Sequence, residues 1–307
     1  MSETRNKTAI VTGANTGLGY ETSLGLAQAG YHVVMACRTA AKAEAAMHKL
    51  KRRAPNASIE FIPLDLIDRP SIHSFAANFS ARHKTLDLLV NNAGVMGPPY
   101  TITQNDLELQ FDANHVGHFL LTSLLMDKLD QSHETRIINV SSLAGKREYA
   151  DIHFDNLNFD GTYEDGEKFM GLVGMEAYSQ SKLANILFTM ELKDRFAAAG
   201  KNIKALVVHP GMSNTDLSRN MSKVILFLAP VLSRIMNMSS PAQGAESSLH
   251  AALTPDIEAG AFIGPTGKDE YTGPPGPSEL PPKAHDKALA ERLWKLSEEL
   301  VGIEFGV

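Results

Sequence analysis

Short apolar runs alternate with longer segments of helical periodicity along almost the whole chain. Thr8–Val11, Tyr31–Ala36, Ile59–Leu64, Leu86–Val90, Arg136–Val140 and Ile203–Val208 are aliphatic and β-branched, with little polar alternation. Continuous runs of that kind read as strands buried on both faces. Ala261–Gly264 reads as a further short strand. Between them, Tyr20–Ala29, Lys42–Arg53, Ser71–Arg82, Leu107–Leu129 and Glu176–Ala199 carry helical spacing, with Gly30 and Gly200 placed as C-terminal stops. The alternation predicts an α/β fold: a doubly wound, mostly parallel sheet of about seven strands in a single domain, 1–307. Gly273–Pro282 has a linker's composition, but too few residues follow it to fold alone. It reads as a loop before a C-terminal helix, Asp286–Leu300, within an extension spanning 268–307.

The first strand ends in Thr12-Gly13-Ala14-Asn15-Thr16-Gly17-Leu18-Gly19. A glycine-rich strand-to-helix turn lets backbone approach a pyrophosphate, and the helix behind it offers its N–H groups and positive dipole end. Gly13, Asn15, Thr16, Gly17, Leu18 and Gly19 are therefore candidate dinucleotide-binding residues, although their spacing departs from G-x-G-x-x-G. The second strand should end facing the adenosine ribose, where an acid would bind the 2′-hydroxyl of NAD. Arg38 stands there instead, and its forked donors suit a 2′-phosphate, which favours NADP(H) over NAD(H). Arg38 stacking on adenine or lying in solvent is the alternative. Asp65-Leu66, after the third strand, either accepts from the adenine amino group or caps a helix.

Tyr178 and Lys182 stand at i and i+4 of a helical segment and share one face. An ammonium favours phenolate and so lowers a nearby tyrosine's pKa toward working pH. A tyrosine so poised exchanges a proton with a carbonyl or alcohol oxygen. Alone, the pair reads rather as a coincidence on a solvated helix surface.

The motifs together resemble the short-chain dehydrogenase/reductase family from Lys7 to about Gly267. Thr12–Gly19 is similar to its T-G-x-x-x-G-x-G, Asn91-Asn92-Ala93-Gly94 to its N-N-A-G, Asn114 to its helical asparagine and Val140-Ser141-Ser142 to its serine strand. Tyr178–Lys182 matches its Y-x-x-x-K, and Pro210-Gly211 with Thr215 its P-G-x-x-x-T. The resemblance implies an oxidoreductase with Ser142, Tyr178, Lys182 and Asn114 as catalytic residues. Tyr178 would give the proton, Ser142 would hold the substrate oxygen, and Lys182 would bind the nicotinamide ribose. Asn114 would hold a relay water, Thr215 would bind the carboxamide, and Asn92, Ala93 and Gly94 would line the cofactor beside Pro210 and Gly211. It also implies a homo-oligomer, dimer or tetramer, through the helices carrying Asn114 and Tyr178. A non-catalytic NADP(H)-binding sensor or scaffold is the competing reading, though such relatives usually lack the tyrosine or lysine.

Ala36-Cys37-Arg38, Asn114–Phe119, Ser181–Phe188 and the tail around Trp294 and Leu300–Ile303 resemble the retinol dehydrogenase branch, and more distantly protochlorophyllide reductases. The only cysteine, Cys37, is expected at the ribose end, away from substrate, which disfavours the light-driven activity. The stretch from Lys146 to Val173, between Ser142 and Tyr178, is longer than in many members and holds Asp151, Asp155, Asp160, Glu164, Asp165 and Glu167. No metal-ligand spacing is present, so it reads as a rim of the pocket and no metal is expected. Segment 216–240, with Val224–Leu232, Ile235, Met236 and Met238, reads as an apolar lid over a small lipophilic substrate. Packing on the core or on a partner, or shallow membrane contact, are its alternatives. His115, His118 and His209 read as packed core residues.

Composition narrows the partners. The 29 basic and 35 acidic residues give a net charge of −6 without a basic run, which argues against a nucleic-acid partner. The polar start, Met1–Lys7, and the shortness of Val224–Leu232 lead to no expected signal peptide or integral membrane segment. With one cysteine, a reducing, cytoplasmic location is the expectation.

Overall fold

The computed structural model describes residues 7–161, 172–212 and 239–307. The sheet grows outward from β1 (Thr8–Thr12), a fully buried strand. It pairs in parallel with β2 (His32–Cys37) on one side and β4 (Leu88–Asn91) on the other. β3 (Ile59–Pro63) flanks β2, while β5 (Thr135–Val140), β6 (Ile203–Val208), β7 (Phe262–Pro265) and β8 (Pro275–Pro277) continue beyond β4, giving the order β3-β2-β1-β4-β5-β6-β7-β8. The chain reverses its winding between β1 and β4, and such a switch point opens a crevice at the strands' carboxyl ends.

Period-two alternation sends β1 side chains to opposite cores. Ile10 packs with Phe75 and Phe79 of α3 (Arg69–Arg82) and with Phe119 of α5 (Gly117–Leu124). Ala9 and Val11 pack with Leu24 and Leu26 of α1 (Gly17–Gln28) and Leu50 of α2 (Ala40–Arg53). Burial on both faces is why these strands lack polar alternation.

Three features differ from the sequence expectation. The segment 107–129 is not one helix. Glu108 caps α4 (Leu109–Phe111) by accepting from the backbone N–H groups of Gln110 and Phe111 at 2.9 Å, and Asp112–Val116 then opens into a π turn before α5. Close backbone approach fixes the next residue: a β-carbon on Gly117 would collide with the Leu66 carbonyl. The second difference is α7 (Pro241–Leu253), which starts where the lid was expected to end. Ser240 accepts from Gln243 N while the Gln243 side chain accepts from Ser240 N, a capping box followed by Pro241 at the helix start. Third, the Pro-rich stretch contributes β8 (Pro275–Pro277), antiparallel to β7. Proline has no N–H to give a ladder, so an edge position suits it.

The C-terminal helix α8 (Lys287–Val301) packs on α6 (Leu172–Ala198). Trp294 and Phe305 stack edge-on against Phe119, with centroids 5.1 Å away in both cases, and extend the core that holds Phe188.

The three histidines read as core residues are indeed buried. His118 joins Thr12 Oγ1 at 2.9 Å and the Asn114 carbonyl at 3.0 Å, and His115 joins Ser297 Oγ of α8 at 2.9 Å. Burial pushes His115 down to about 3 and His118 down to about 4, and lowers His209 as well. An unfolded chain takes up these protons near pH 6.5, whereas the folded one holds the rings neutral. These rings therefore leave stability unchanged above pH 6.5 and cost it as pH falls from there toward 4, by about 1.4 kcal/mol per pH unit for each ring. The urea midpoint should drop clearly between pH 7 and pH 5.5, and His118→Asn should flatten that slope. An unchanged midpoint would contradict this account.

Candidate active site

The crevice at the β1/β4 switch point is a cavity of about 380 Å³. It is lined by Gly13, Asn15, Thr16, Gly17, Leu18 and Gly19 on one wall and by Arg38, Asp65 and Leu66 at one end. Asn92, Ala93, Gly94, Tyr178, Lys182 and Pro210 are among the other lining residues. Residues far apart in the chain thus line one cleft. Thr215 and most of the lid lie outside the described residues.

The glycine turn has the features of a phosphate cradle. Gly13 and Gly17 adopt left-handed φ angles of 65° and 54°, and a β-carbon on Gly19 would meet Asn92 Nδ2 at 2.5 Å and strike the Gly13 carbonyl. The first turn of α1 carries no acidic side chain, leaving its positive end to an anion. Asn92 holds the turn in place, donating from Nδ2 to the Thr12 carbonyl at 2.7 Å. Thr12 Oγ1 reciprocates by accepting from the N–H groups of Asn92 and Ala93 at 2.9 and 2.8 Å. Asp65 shapes its own loop, accepting from Ile67 N at 3.4 Å, while still lining the cleft. At the ribose end Arg38 is exposed, and Lys42 of α2 lines the same wall. Lys42 was not singled out from the sequence. Its place one turn beyond Arg38, in the first turn of the next helix, was the available signal.

At the other end, Ser141 and Ser142 divide their duties. Ser141 is buried and donates to the Lys182 carbonyl at 2.7 Å, tying β5 to α6. Ser142 accepts from Ala144 N at 3.2 Å and hydrogen-bonds Tyr178. Gly145 follows against the α6 backbone, where a β-carbon would sit 2.8 Å from the Lys182 carbonyl carbon. Lys182 Nζ donates to the Val140 carbonyl at 3.0 Å and lies 5.7 Å from the Tyr178 ring centroid. The π turn aims Asn114 inward. Its Oδ1 accepts from Val95 N at 2.8 Å, and its Nδ2 donates to the Val95 carbonyl and to Ser181 Oγ, both at 3.0 Å. A β-carbon on Gly94 would lie 3.2 Å from Asn114 Oδ1 and 3.4 Å from Lys182 Nζ, so the three residues meet at one point.

Electrostatics corrects one expectation. Burial pushes the Tyr178 phenol up to about 12, opposed only by the Ser142 hydrogen bond, and pushes Lys182 down to about 8. Desolvation dominates both shifts, because both groups are almost fully enclosed. Cys37, at the ribose end of β2, is likewise pushed up to about 11 by burial, which makes it unreactive.

Residues 7–153 match the family model described as short chain dehydrogenase. Retinol dehydrogenase 14 of Mus musculus is 39% identical over 97% of this chain and 86% of its own length. The chain belongs to the short-chain dehydrogenase family. Within that family, human retinol dehydrogenase 11 is 40% identical, again over 97% of this chain and 86% of the relative. A solved structure of an uncharacterized protein from Mycobacterium Paratuberculosis is 36% identical, superposes with a TM-score of 0.77, and covers 98% of this chain and 95% of that one. As a short-chain dehydrogenase of the retinol dehydrogenase-like branch, the protein is an alcohol/carbonyl oxidoreductase of a family that uses NAD(P)(H). Among the described residues no helix is long and apolar enough to cross a membrane.

Proposed function

We propose that this short-chain dehydrogenase transfers a hydride between NADP(H) and a small lipophilic carbonyl or alcohol, with Tyr178 as general acid and base. One observation carries the reading. A single cleft joins the glycine turn and Arg38 at one end to Tyr178 and Lys182 at the other. When bound, the cofactor supplies the hydride chemistry, and the chain supplies binding, orientation and the proton. Gly13–Gly19 and the start of α1 hold the pyrophosphate. Arg38, with Lys42 beside it, supports the preference for NADP(H), since two cations on one wall suit a phosphate better than a hydroxyl. Pro210, which lines the cleft, and Gly211 are the proposed neighbours of the nicotinamide, and Thr215 is the proposed carboxamide contact.

Tyr178 gives its proton to the substrate oxygen during reduction and takes one during oxidation. Ser142 hydrogen-bonds the same oxygen. Burial keeps the phenol protonated, which suits it to meet a developing alkoxide in reduction; in oxidation it must first pass that proton toward Lys182 and the relay before taking one from the alcohol. Lys182, held at about 8, exchanges protons readily near neutral pH, and Asn114 Oδ1 keeps a second lone pair for a relay water. The relatives' names refer to retinol, an apolar alcohol, which supports a lipophilic substrate. α8 already covers part of α5 and α6, so an oligomer would use the surface those helices leave open.

The direct test is turnover with NADP(H) over a series of aldehydes, ketones and alcohols of increasing apolar size. Activity should rise with apolar bulk and be higher with NADP(H) than with NAD(H). A protein that binds the nucleotide yet turns over no member of the panel would leave the reading without support.

A further inference from the structure

At the opposite end of the sheet from the cofactor turn, three side chains from three elements converge. His32 opens β2, Glu60 lies in β3, and His83 follows α3 directly. His32 Nε2 stands 3.3 Å from Glu60 Oε1, and His83 Nε2 contacts the same oxygen. All three ligand atoms lie within 4.8 Å of one another. We propose that His32, Glu60 and His83 form a site for a zinc-class divalent transition metal.

The donor set is two imidazole nitrogens and one carboxylate oxygen, which suits zinc and its neighbours and not calcium or magnesium. Ligands at about 2.0–2.1 Å from a tetrahedral ion stand roughly 3.3 Å apart, which matches the His32–Glu60 separation. Each donor is also oriented by a neighbour, as metal ligands usually are. His32 Nδ1 meets Ser58 Oγ at 2.7 Å; with Ser58 accepting the Nδ1 proton, the Nε2 lone pair faces the site. The His83 ring stacks on buried Phe79, with centroids 4.7 Å apart. Glu60 divides its oxygens, since Oε2 accepts from Arg82 at 3.3 Å and leaves Oε1 to the imidazoles. The side chains of His32, Glu60 and His83 are 22%, 24% and 16% exposed, so an ion has an entry path and water has a fourth position. Because the site sits at the amino end of β2, it would clamp β2, β3 and α3 together and take no part in hydride transfer.

The test is zinc binding to the untagged full chain after chelation, by equilibrium dialysis with Zn²⁺ alone. One strongly held ion per chain is expected. His83→Gln and His32→Gln should each weaken binding by at least about tenfold, while turnover without metal stays unchanged. Saturating zinc should raise the melting temperature of the wild type by a few degrees. Co²⁺ added to the wild type should give the visible absorption of a four-coordinate nitrogen–oxygen site, a readout that does not depend on how the variants fold. No binding at micromolar zinc, binding unchanged in both variants, or a six-coordinate cobalt spectrum would each overturn the proposal.

Discussion

Replacing Tyr178 with Phe is expected to abolish turnover while leaving nucleotide binding intact. The substitution removes one hydroxyl and keeps a ring that is 4% exposed, so α6 should pack as before. What disappears is the hydroxyl proposed to exchange a proton at the substrate oxygen. General acid catalysis of this kind contributes about 10²–10⁴-fold, and a loss of that size in kcat is expected. The expected pattern is a collapse of kcat with the NADPH dissociation constant changed by less than about threefold. Undiminished turnover would remove Tyr178 from the reaction. Lost turnover together with lost nucleotide binding would instead mean that the ring is chiefly a wall of the cofactor cleft.

Arg38→Ala should weaken NADPH binding by about 10–100-fold and leave NADH binding nearly unchanged. A charge-assisted hydrogen bond is worth about 1.5–3 kcal/mol, and exposure of Arg38 places the effect at the lower end. Lys42, on the same wall, should retain part of the preference, so the double change with Lys42→Ala should bring the two cofactors close to parity. If the wild type binds both nucleotides equally, or if Arg38→Ala weakens both equally, the guanidinium serves adenine or solvent and the 2′-phosphate reading fails. Higher salt should narrow the NADPH advantage, because exposed charges are screened.

Much of the site was legible because its chemistry demands particular residues. A left-handed turn against a neighbouring backbone calls for glycine at Gly13 and Gly17, and contact with Asn92 leaves no room for a side chain at Gly19. The parallel strands were legible for a similar reason, since burial on both faces erases polar positions. The break in 107–129 was not, because hydrophobic spacing reports a helix's buried face and says little about one extra residue in a turn. Only the Gly117–Leu66 contact explains the glycine there, and that contact joins distant segments. The start of α7 is legible in Ser240, Pro241 and Gln243, which spell a capping box. The pKa of Tyr178 followed burial, which no local spacing reveals. Arg38 follows from position at the end of β2, and Lys42, one turn further on, lines the same cleft.

The packing of α8 also has a bearing on how the chain is made. Phe119 and Phe188 complete their environment only with Trp294 and Phe305, and His115 finds Ser297 there as well. During synthesis the middle of the chain therefore emerges with a large aromatic surface that nothing yet covers. Contacts so distant in sequence form slowly, and exposed apolar surface in the interval invites aggregation. The final helix sets when the π turn bearing Asn114 is enclosed, so a chain ending before Trp294 would leave Asn114 beside an unfinished core.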